Sequence, residues 1–292
     1  SVQGAFVDLD DALDGRRYDV AVVATPAPLH VPMARRLAAE RCHLLIEKPL
    51  STALDGIREL QDDVERHGVT AAVGYVYRAH PAVRALREAL RTGDLGEPVE
   101  VVVTSGQHFP TYRPAYRDIY YADLAQGGGA LQDGITHALN AVEWCVGPTD
   151  RLLADIAHQL LPGVTVDDTV HLLTRHGRVQ GSLTFNQYQA PNETAFTMVC
   201  SGGTLRAELN PSRLRIMREP DTPWEDRETP VAERDDLYVS QAHAFLDAIE
   251  GRGDILCTIE EAARTLGVTL AALRGAEAQP WLQPLWPGGE AT

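Results

Sequence analysis

Lysine is nearly absent from this chain: of 26 basic residues, Lys48 is the only one and the rest are arginines. Arginine does not release its proton in a protein, whereas a partly buried lysine can take part in proton-transfer chemistry. A lone retained ammonium is therefore a candidate for chemistry, with genomic base composition as the alternative. Cysteine is scarce too. Cys42, Cys145, Cys200 and Cys257 stand far apart, with no C-x-x-C pair. That argues against a zinc knuckle or disulfide framework and fits a reducing, cytoplasmic setting. No apolar run reaches the roughly eighteen residues of a membrane span, and no leader pattern is visible. The chain opens on Ser1 rather than Met, so an upstream segment is expected to have been removed or left unrecorded. Positive charge is in deficit. A net charge of −15 makes nucleic acid and anionic lipid poor partners. What is present, 44% hydrophobic and 23% charged residues, fits a folded globular protein.

The first hundred residues alternate strand and helix. Val20 to Thr25, His43 to Ile46 and Thr70 to Tyr75 are short apolar runs, as in strands buried on both faces. Leu29 to Glu40 reads as a helix. A second helix is expected from a Ser51 cap to His67, with Gly68 as its stop. Upstream, Gly4 to Val7 reads as a short strand, and Asp8 as the cap of a helix over Leu9 to Leu13. This order predicts a parallel sheet. After a helix from Pro81 to Leu90, closed by Thr92-Gly93, the pattern changes. Val99–Ser105, Thr169–Arg175, Val179–Tyr188, Phe196–Ser201, Thr204–Leu209 and Leu214–Arg218 read as strands, several joined by tight turns. The chain is thus expected to hold an incomplete parallel-sheet domain over residues 1–95. A mostly antiparallel sheet domain with helices follows over residues 96–292. Glu219 to Asp236 reads as a loop, Ser240–Glu250 and Thr258–Ala276 as closing helices, and Gln279 to Thr292 as an irregular tail.

Ligands of open parallel sheets bind beyond the carboxyl ends of the strands. Those ends carry Thr25, Pro26 and His30, then Glu47, Lys48 and Pro49, then Tyr75 and Arg78. The lone lysine stands at the middle of the three, which shifts the weight from ordinary loop polarity toward a site. A second cluster is Gly127-Gly128-Gly129 followed by Asp133 and His137. Leu131, Ile135, Leu139 and Val142 form a buried helical stripe there. Asp133 and His137 are four apart, so both project from one helix face. Their pairing is expected to raise the imidazole pKa and fix its orientation, and Asn140 lies near that face. By spacing alone a routine surface pair is the commoner reading. The glycines, which permit close backbone approach, favour a site. The segment His108 to Tyr121, with Tyr112, Arg113, Tyr116, Arg117, Tyr120 and Tyr121, offers either substrate hydrogen bonds or a packing loop.

A-T-P-x-x-x-H (Ala24 to His30), E-K-P (Glu47 to Pro49) and G-G-G-x-L-x-D-x-x-x-H (Gly127 to His137) resemble, in order, three signatures of the Gfo/Idh/MocA oxidoreductase family. Gly74 to Pro81 and the helix from Ala244 on are also similar to that family, so the resemblance covers nearly the whole chain. It implies a Rossmann domain and an open-faced sheet domain whose free face makes dimers or tetramers. It implies hydride transfer between NAD or NADP and a sugar, cyclitol or related polyol. By match to the motifs, Lys48 would polarise the reacting oxygen, His137 would be the general acid/base, and Asp133 would orient His137 and the substrate. Thr25, Pro26, His30, Glu47, Lys48 and Arg78 would line the cofactor. Tyr116 and Arg117 would join Lys48, Asp133 and His137 around the substrate. The Lys48–Pro49 bond is expected to be cis, which would aim the lysine. No metal is implied.

The family opens with a strand, a G-x-G-x-x-G turn that holds the pyrophosphate, and a ribose-reading strand. Here the early glycines are Gly4 and Gly15, without that spacing. A truncated record of a working enzyme is expected. The alternative is a truncated, non-catalytic member that serves in binding or assembly. A metal-dependent lyase or hydrolase built on Asp133 and His137 finds no third ligand by spacing. Asn140 stands where many relatives have an acid.

Overall fold

A computed structural model describes residues 4–230 and 233–278. Helix α1 (Leu9–Leu13) is capped by Asp8, whose carboxylate accepts from the Asp10 amide at 2.7 Å. Strands β1 (Val20–Val23), β2 (His43–Ile46) and β3 (Ala71–Val73) form a three-stranded, all-parallel sheet in that order. Helices α2 (His30–Ala39) and α3 (Ile57–His67) make the crossovers. The sheet is short because its strands are. In β2 and β3 the apolar runs are buried as expected, with Leu44 and Ile46 fully enclosed, but β1 at the sheet edge is not buried on both faces: Val22 is 61% exposed. Each fully enclosed side chain contributes roughly 1.5–3 kcal/mol.

The second sheet has eight strands: β4 (Pro98–Gly106), β5 (Arg151–Ala157), β6 (Thr169–His176), β7 (Val179–Asn186), β8 (Glu193–Cys200), β9 (Gly203–Glu208), β10 (Arg213–Met217) and β11 (Glu225–Glu228). Their order is β11-β10-β9-β8-β4-β7-β6-β5, antiparallel throughout except for the parallel pair β4–β7. Burial alternates along β6 and β7, so one face of the sheet is core and the other open. The core face packs under α4 (Pro81–Thr92), α6 (Thr136–Val146) and α8 (Ile259–Ala278). The short helix α5 (Phe109–Tyr112) and the helix α7 (Arg234–Ile249) complete the described chain.

The closing helices return to the first sheet. Cys257, Ile259, Ala262 and Leu266 join the core of β1–β3, while Val268 and Ala272 of the same helix pack on the large sheet. Phe245 of α7 covers Leu45 and Ala72. The Val73 amide donates to the Cys257 carbonyl at 3.0 Å. One helix therefore holds both sheets in register, and the pocket between them with it.

Several elements differ from the sequence reading. Gly4 to Val7 forms no strand. The helix expected from Ser51 starts at Ile57, after turns that end on Gly56 at φ 74°. Strand β5 went unread because at the sheet edge its alternation is weak and none of its residues is fully buried. Strand β11, Glu-Asp-Arg-Glu, is wholly exposed and held by ion pairs from Arg213 and Arg215 to Asp226. Helix α7 starts at Arg234, under a reciprocal cap between Glu233 and Asp236. The tail read from Gln279 lies outside the described residues.

Candidate active site

The carboxyl ends of β1 and β2 and the segment after β3 face one cavity of about 470 Å³, closed on its far side by Gln126, Asp133, Gly134 and His137, by Phe185 of β7 and by Gln187 just beyond it. That volume lies within the range of small-molecule sites. The Lys48–Pro49 peptide at its centre is cis.

Lys48 Nζ donates to the Asp133 carboxylate at 2.6 Å and to the Asp133 carbonyl at 2.8 Å. Both side chains are about seven-eighths enclosed, at 12% and 15% exposure. Burial alone would raise the Asp133 carboxyl. The Lys48 ammonium and a 2.8 Å hydrogen bond from the Tyr120 hydroxyl outweigh it and hold the group below its ordinary value. His137 stacks on Tyr77 with ring centroids 5.1 Å apart and meets the edge of Tyr75. Burial first, then the Lys48 charge, push its pKa down to about 3, and Asp133 offsets only part of this. This corrects the expected Asp133–His137 pair: the carboxylate is committed to Lys48 and Tyr120, and the imidazole is held neutral. The local backbone contributes, because residues Ala130–Ile135 form a π-helical turn ahead of α6 rather than a regular α-helix. Such turns are frequent at functional sites.

The glycine run makes that turn possible. A Cβ on Gly128 would lie 2.2 Å from the Tyr121 carbonyl oxygen, and one on Gly129, at φ 86°, would lie 2.2 Å from Asp167 Oδ1. Asp167 caps the turn: its Oδ2 accepts from the Leu131 amide at 2.7 Å, while its Oδ1 is buried without a partner. Burial pushes this carboxyl up to about 6 despite the amide bonds. In the unfolded chain it ionises near 4. The group therefore stabilises the fold below about pH 4, and that contribution is lost as pH rises to about 6. The full difference is about 3 kcal/mol. Asp167→Asn is expected to melt higher than the parent at pH 8 and to lose that advantage at pH 4.5. Thermal denaturation at both pH values checks it, and a pH-independent difference would refute the assignment.

Of the residues singled out in the sequence, Thr25, Pro26, Glu47, Lys48, Asp133 and His137 all line the cavity. Burial raises the Glu47 carboxyl above its usual range despite the adjacent Lys48. His30 also borders the cavity. Its ring nitrogens, however, lie 2.8 and 2.7 Å from the carbonyl oxygens of Pro49 and Thr25, so it ties the first strand end to the Lys48 turn. Three expectations are corrected. Arg78, 2% exposed, lies outside the cavity: it donates to Asn140, the Leu256 carbonyl and Glu261. Tyr116 is fully buried against Phe109 and Tyr121, with its hydroxyl on the Pro162 carbonyl. Arg117 donates to the same carbonyl and covers the Tyr116 ring. The same segment presents Tyr112, Arg113 and Tyr120 to the cavity instead. Tyr77 and Gln187 were missed. Each sits at the end of an apolar run, where an aromatic or amide reads as strand-end packing.

Thr25 Oγ1, His137 Nδ1 and Gln187 Nε2 are buried without hydrogen-bond partners, and all three residues line this one cavity. Buried polar atoms are rarely left unpaired.

Two family descriptions match the chain. Residues 1–75 match "Oxidoreductase family, NAD-binding Rossmann fold", and residues 83–206 match "GFO/IDH/MocA C-terminal domain". The chain is 30% identical over 166 residues to the rhizopine catabolism protein MocA of Rhizobium meliloti, covering 56% of this chain and 50% of that one. It is 25% identical over 273 residues to inositol 2-dehydrogenase of Leifsonia xyli, covering 84% and 70%. The chain spans about half the length of several of the curated relatives it matches. A levoglucosan dehydrogenase structure in complex with NADH and levoglucosan superposes with a TM-score of 0.84, covering 95% of this chain and 83% of that one at 20% identity.

Proposed function

The chain belongs to the GFO/IDH/MocA oxidoreductase family, and from that premise we propose that it transfers a hydride between NAD or NADP and a hydroxyl or carbonyl carbon of a sugar, cyclitol or related polyol. The observation that carries the reading is the only lysine, ion-paired to Asp133 beside a neutral His137 at the carboxyl edge of the parallel sheet. The relatives' names, an inositol dehydrogenase among them, point the same way.

Thr25 and Pro26 after β1 and the Glu47 carboxyl, raised by burial, line the part of the cavity at the sheet edge where a nicotinamide would sit. Thr25, Pro26 and Glu47 would hold it. When bound, the nicotinamide accepts or supplies the hydride. Lys48 hydrogen-bonds the reacting oxygen and stabilises negative charge on it. His137 would take the hydroxyl proton as the alcohol is oxidised and return it in reduction, its depressed pKa rising as the developing alkoxide offsets the Lys48 charge. Asp133 anchors Lys48, and Tyr120 anchors Asp133. The same family reading gives a homo-oligomer through the open sheet face. Leu153 and Leu173, 52% and 56% exposed, oppose each other there across β5 and β6. The four cysteines are free, which suits a cytoplasmic setting.

The test is a fluorescence titration of the folded chain with NADH and with NADPH, paired with absorbance assays of hydride transfer to a panel of sugars and inositols. Saturable binding of one nucleotide and turnover of a polyol are the expected results. A folded protein that binds neither nucleotide and oxidises no member of the panel overturns the reading.

A further inference from the structure

His137 carries the proton in the reading above, yet among the described residues no hydrogen bond holds its ring. Nδ1 is sealed in without a partner, so Nε2 is the nitrogen open to the cavity that the residue lines. In an acid/base histidine the second ring nitrogen is usually tied to a carboxylate or a backbone carbonyl, which sets the ring's orientation. Here Asp133, one turn earlier, is committed to Lys48 and Tyr120. Aromatic rings hold the imidazole instead. Tyr77 lies against one face, with centroids 5.1 Å apart and planes 26° from parallel, and Tyr75 meets the ring in a T-shaped contact at 5.9 Å. Tyr77 is itself braced by a T-shaped contact with Phe196 of β8, at 6.4 Å.

Two buried hydrogen bonds bracket this stack. On one side the hydroxyls of Tyr75 and Thr136 lie 3.2 Å apart, and on the other Arg78 donates to Asn140 at 2.6 Å. Tyr75 and Arg78 flank Tyr77 in the turn after β3, while Thr136 and Asn140 flank His137 in α6. All four are buried. The turn and the helix are thus pinned in one register, and that register sets the Tyr77 ring on the imidazole.

We propose that Tyr77 is the positioning residue of the proton transfer: its ring fixes the plane of the His137 imidazole so that Nε2 is presented to the substrate hydroxyl. The assignment rests on the oxidoreductase reading above and names the group that aims its acid/base. Tyr77 acts through His137. A rotated imidazole would carry the Nε2 lone pair off the line to the hydroxyl, and proton transfer depends steeply on that geometry.

The experiment combines carbon–proton correlation NMR of histidine-labelled protein with steady-state kinetics on Tyr77→Leu, Tyr77→Met and Tyr77→Phe. The His137 resonances are assigned by their loss in His137→Asn. They are expected upfield in the parent and in Tyr77→Phe, because they lie over an aromatic face, and to move downfield in the Leu and Met variants. On a polyol that the parent turns over, Tyr77→Leu and Tyr77→Met are expected to lower kcat roughly ten- to a hundredfold with KM little changed, since a misaimed group costs rate rather than substrate affinity. Tyr77→Phe, which keeps the ring, is expected to recover most of that loss. A merely structural role would lower the melting temperature and leave kcat of the folded protein at the parental value. Three results overturn the assignment and leave the oxidoreductase reading standing: His137 resonances unmoved when the Tyr77 ring is removed, parental kcat in the Leu or Met variant, or a loss in Tyr77→Phe equal to theirs. The last of these also decides the matter should neither non-aromatic variant fold. A parent that turns over no polyol overturns the oxidoreductase reading and the assignment with it.

Discussion

Lys48→Ala is expected to lower kcat/KM for any polyol substrate by about a thousandfold while the protein stays folded, since removing one donor to a developing oxyanion removes roughly 3–4 kcal/mol of transition-state stabilisation. Two further consequences follow from the geometry. Asp133 loses the ammonium that offsets its burial and keeps only the Tyr120 hydroxyl, so its carboxyl moves up toward protonation. His137 loses the charge that ranks second in depressing it, so its pKa rises from about 3. The pH–rate profile of the residual activity is thus expected to change shape as well as height. Lys48→Arg separates charge from chemistry. The guanidinium keeps the positive charge but is larger, planar and unable to reproduce the short ammonium contacts to both the Asp133 carboxylate and carbonyl. It is expected to preserve the melting temperature and fail to restore turnover. Steady-state kinetics and thermal melts on the three proteins check this, and full activity of Lys48→Ala would remove the lysine from the mechanism.

Much of this site was legible in the sequence because two of its residues are conspicuous there. Lys48 stands out by rarity, and the glycine run stands out because only close backbone approach explains it. The Tyr121 carbonyl against Gly128 supplies that approach. What escaped were features decided by packing between distant segments. The π turn at Ala130–Ile135 adds too little to the apolar period to be seen, yet it sends Asp133 to Lys48 rather than to His137. In the segment from His108 to Tyr121 all the tyrosines look alike in sequence. Phe109 and the Pro162 carbonyl decide that Tyr116 and Tyr121 turn inward and Tyr112 and Tyr120 outward. Tyr77 became visible only once Phe196 and His137 were seen on either side of it.

Arg78 shows how motif position and physical role can part. It follows β3 near the pocket edge, where the motif implies a cofactor contact, but its guanidinium is spent on Asn140, the Leu256 carbonyl and Glu261. Its Nε donates to Asn140 at 2.6 Å, and one terminal nitrogen donates to Glu261 at 2.7 Å and to the Leu256 carbonyl at 2.9 Å. Burial alone would raise the Glu261 carboxyl. Arg78 and bonds from Thr258 reverse this and hold it down. Asn140 passes the network on to Thr265 of α8. These contacts fasten α6 and α8 to the segment that carries Tyr77, and through it the two sheets that form the cavity. Removing one partner of a buried charged network costs about 3–5 kcal/mol, because the others are left unpaired. In a chain of this size that is a fall in Tm of on the order of 10 °C. Arg78→Met is expected to show that loss while the folded fraction binds NADH or NADPH with the parental Kd. A cofactor ligand would behave in the opposite way, with a weakened Kd and an unchanged Tm. The double variant Arg78→Met, Glu261→Gln supplies the final discrimination. With the stranded carboxylate gone as well, it is expected to melt above Arg78→Met alone, because most of the single variant's penalty is the unpaired charge rather than the lost attraction.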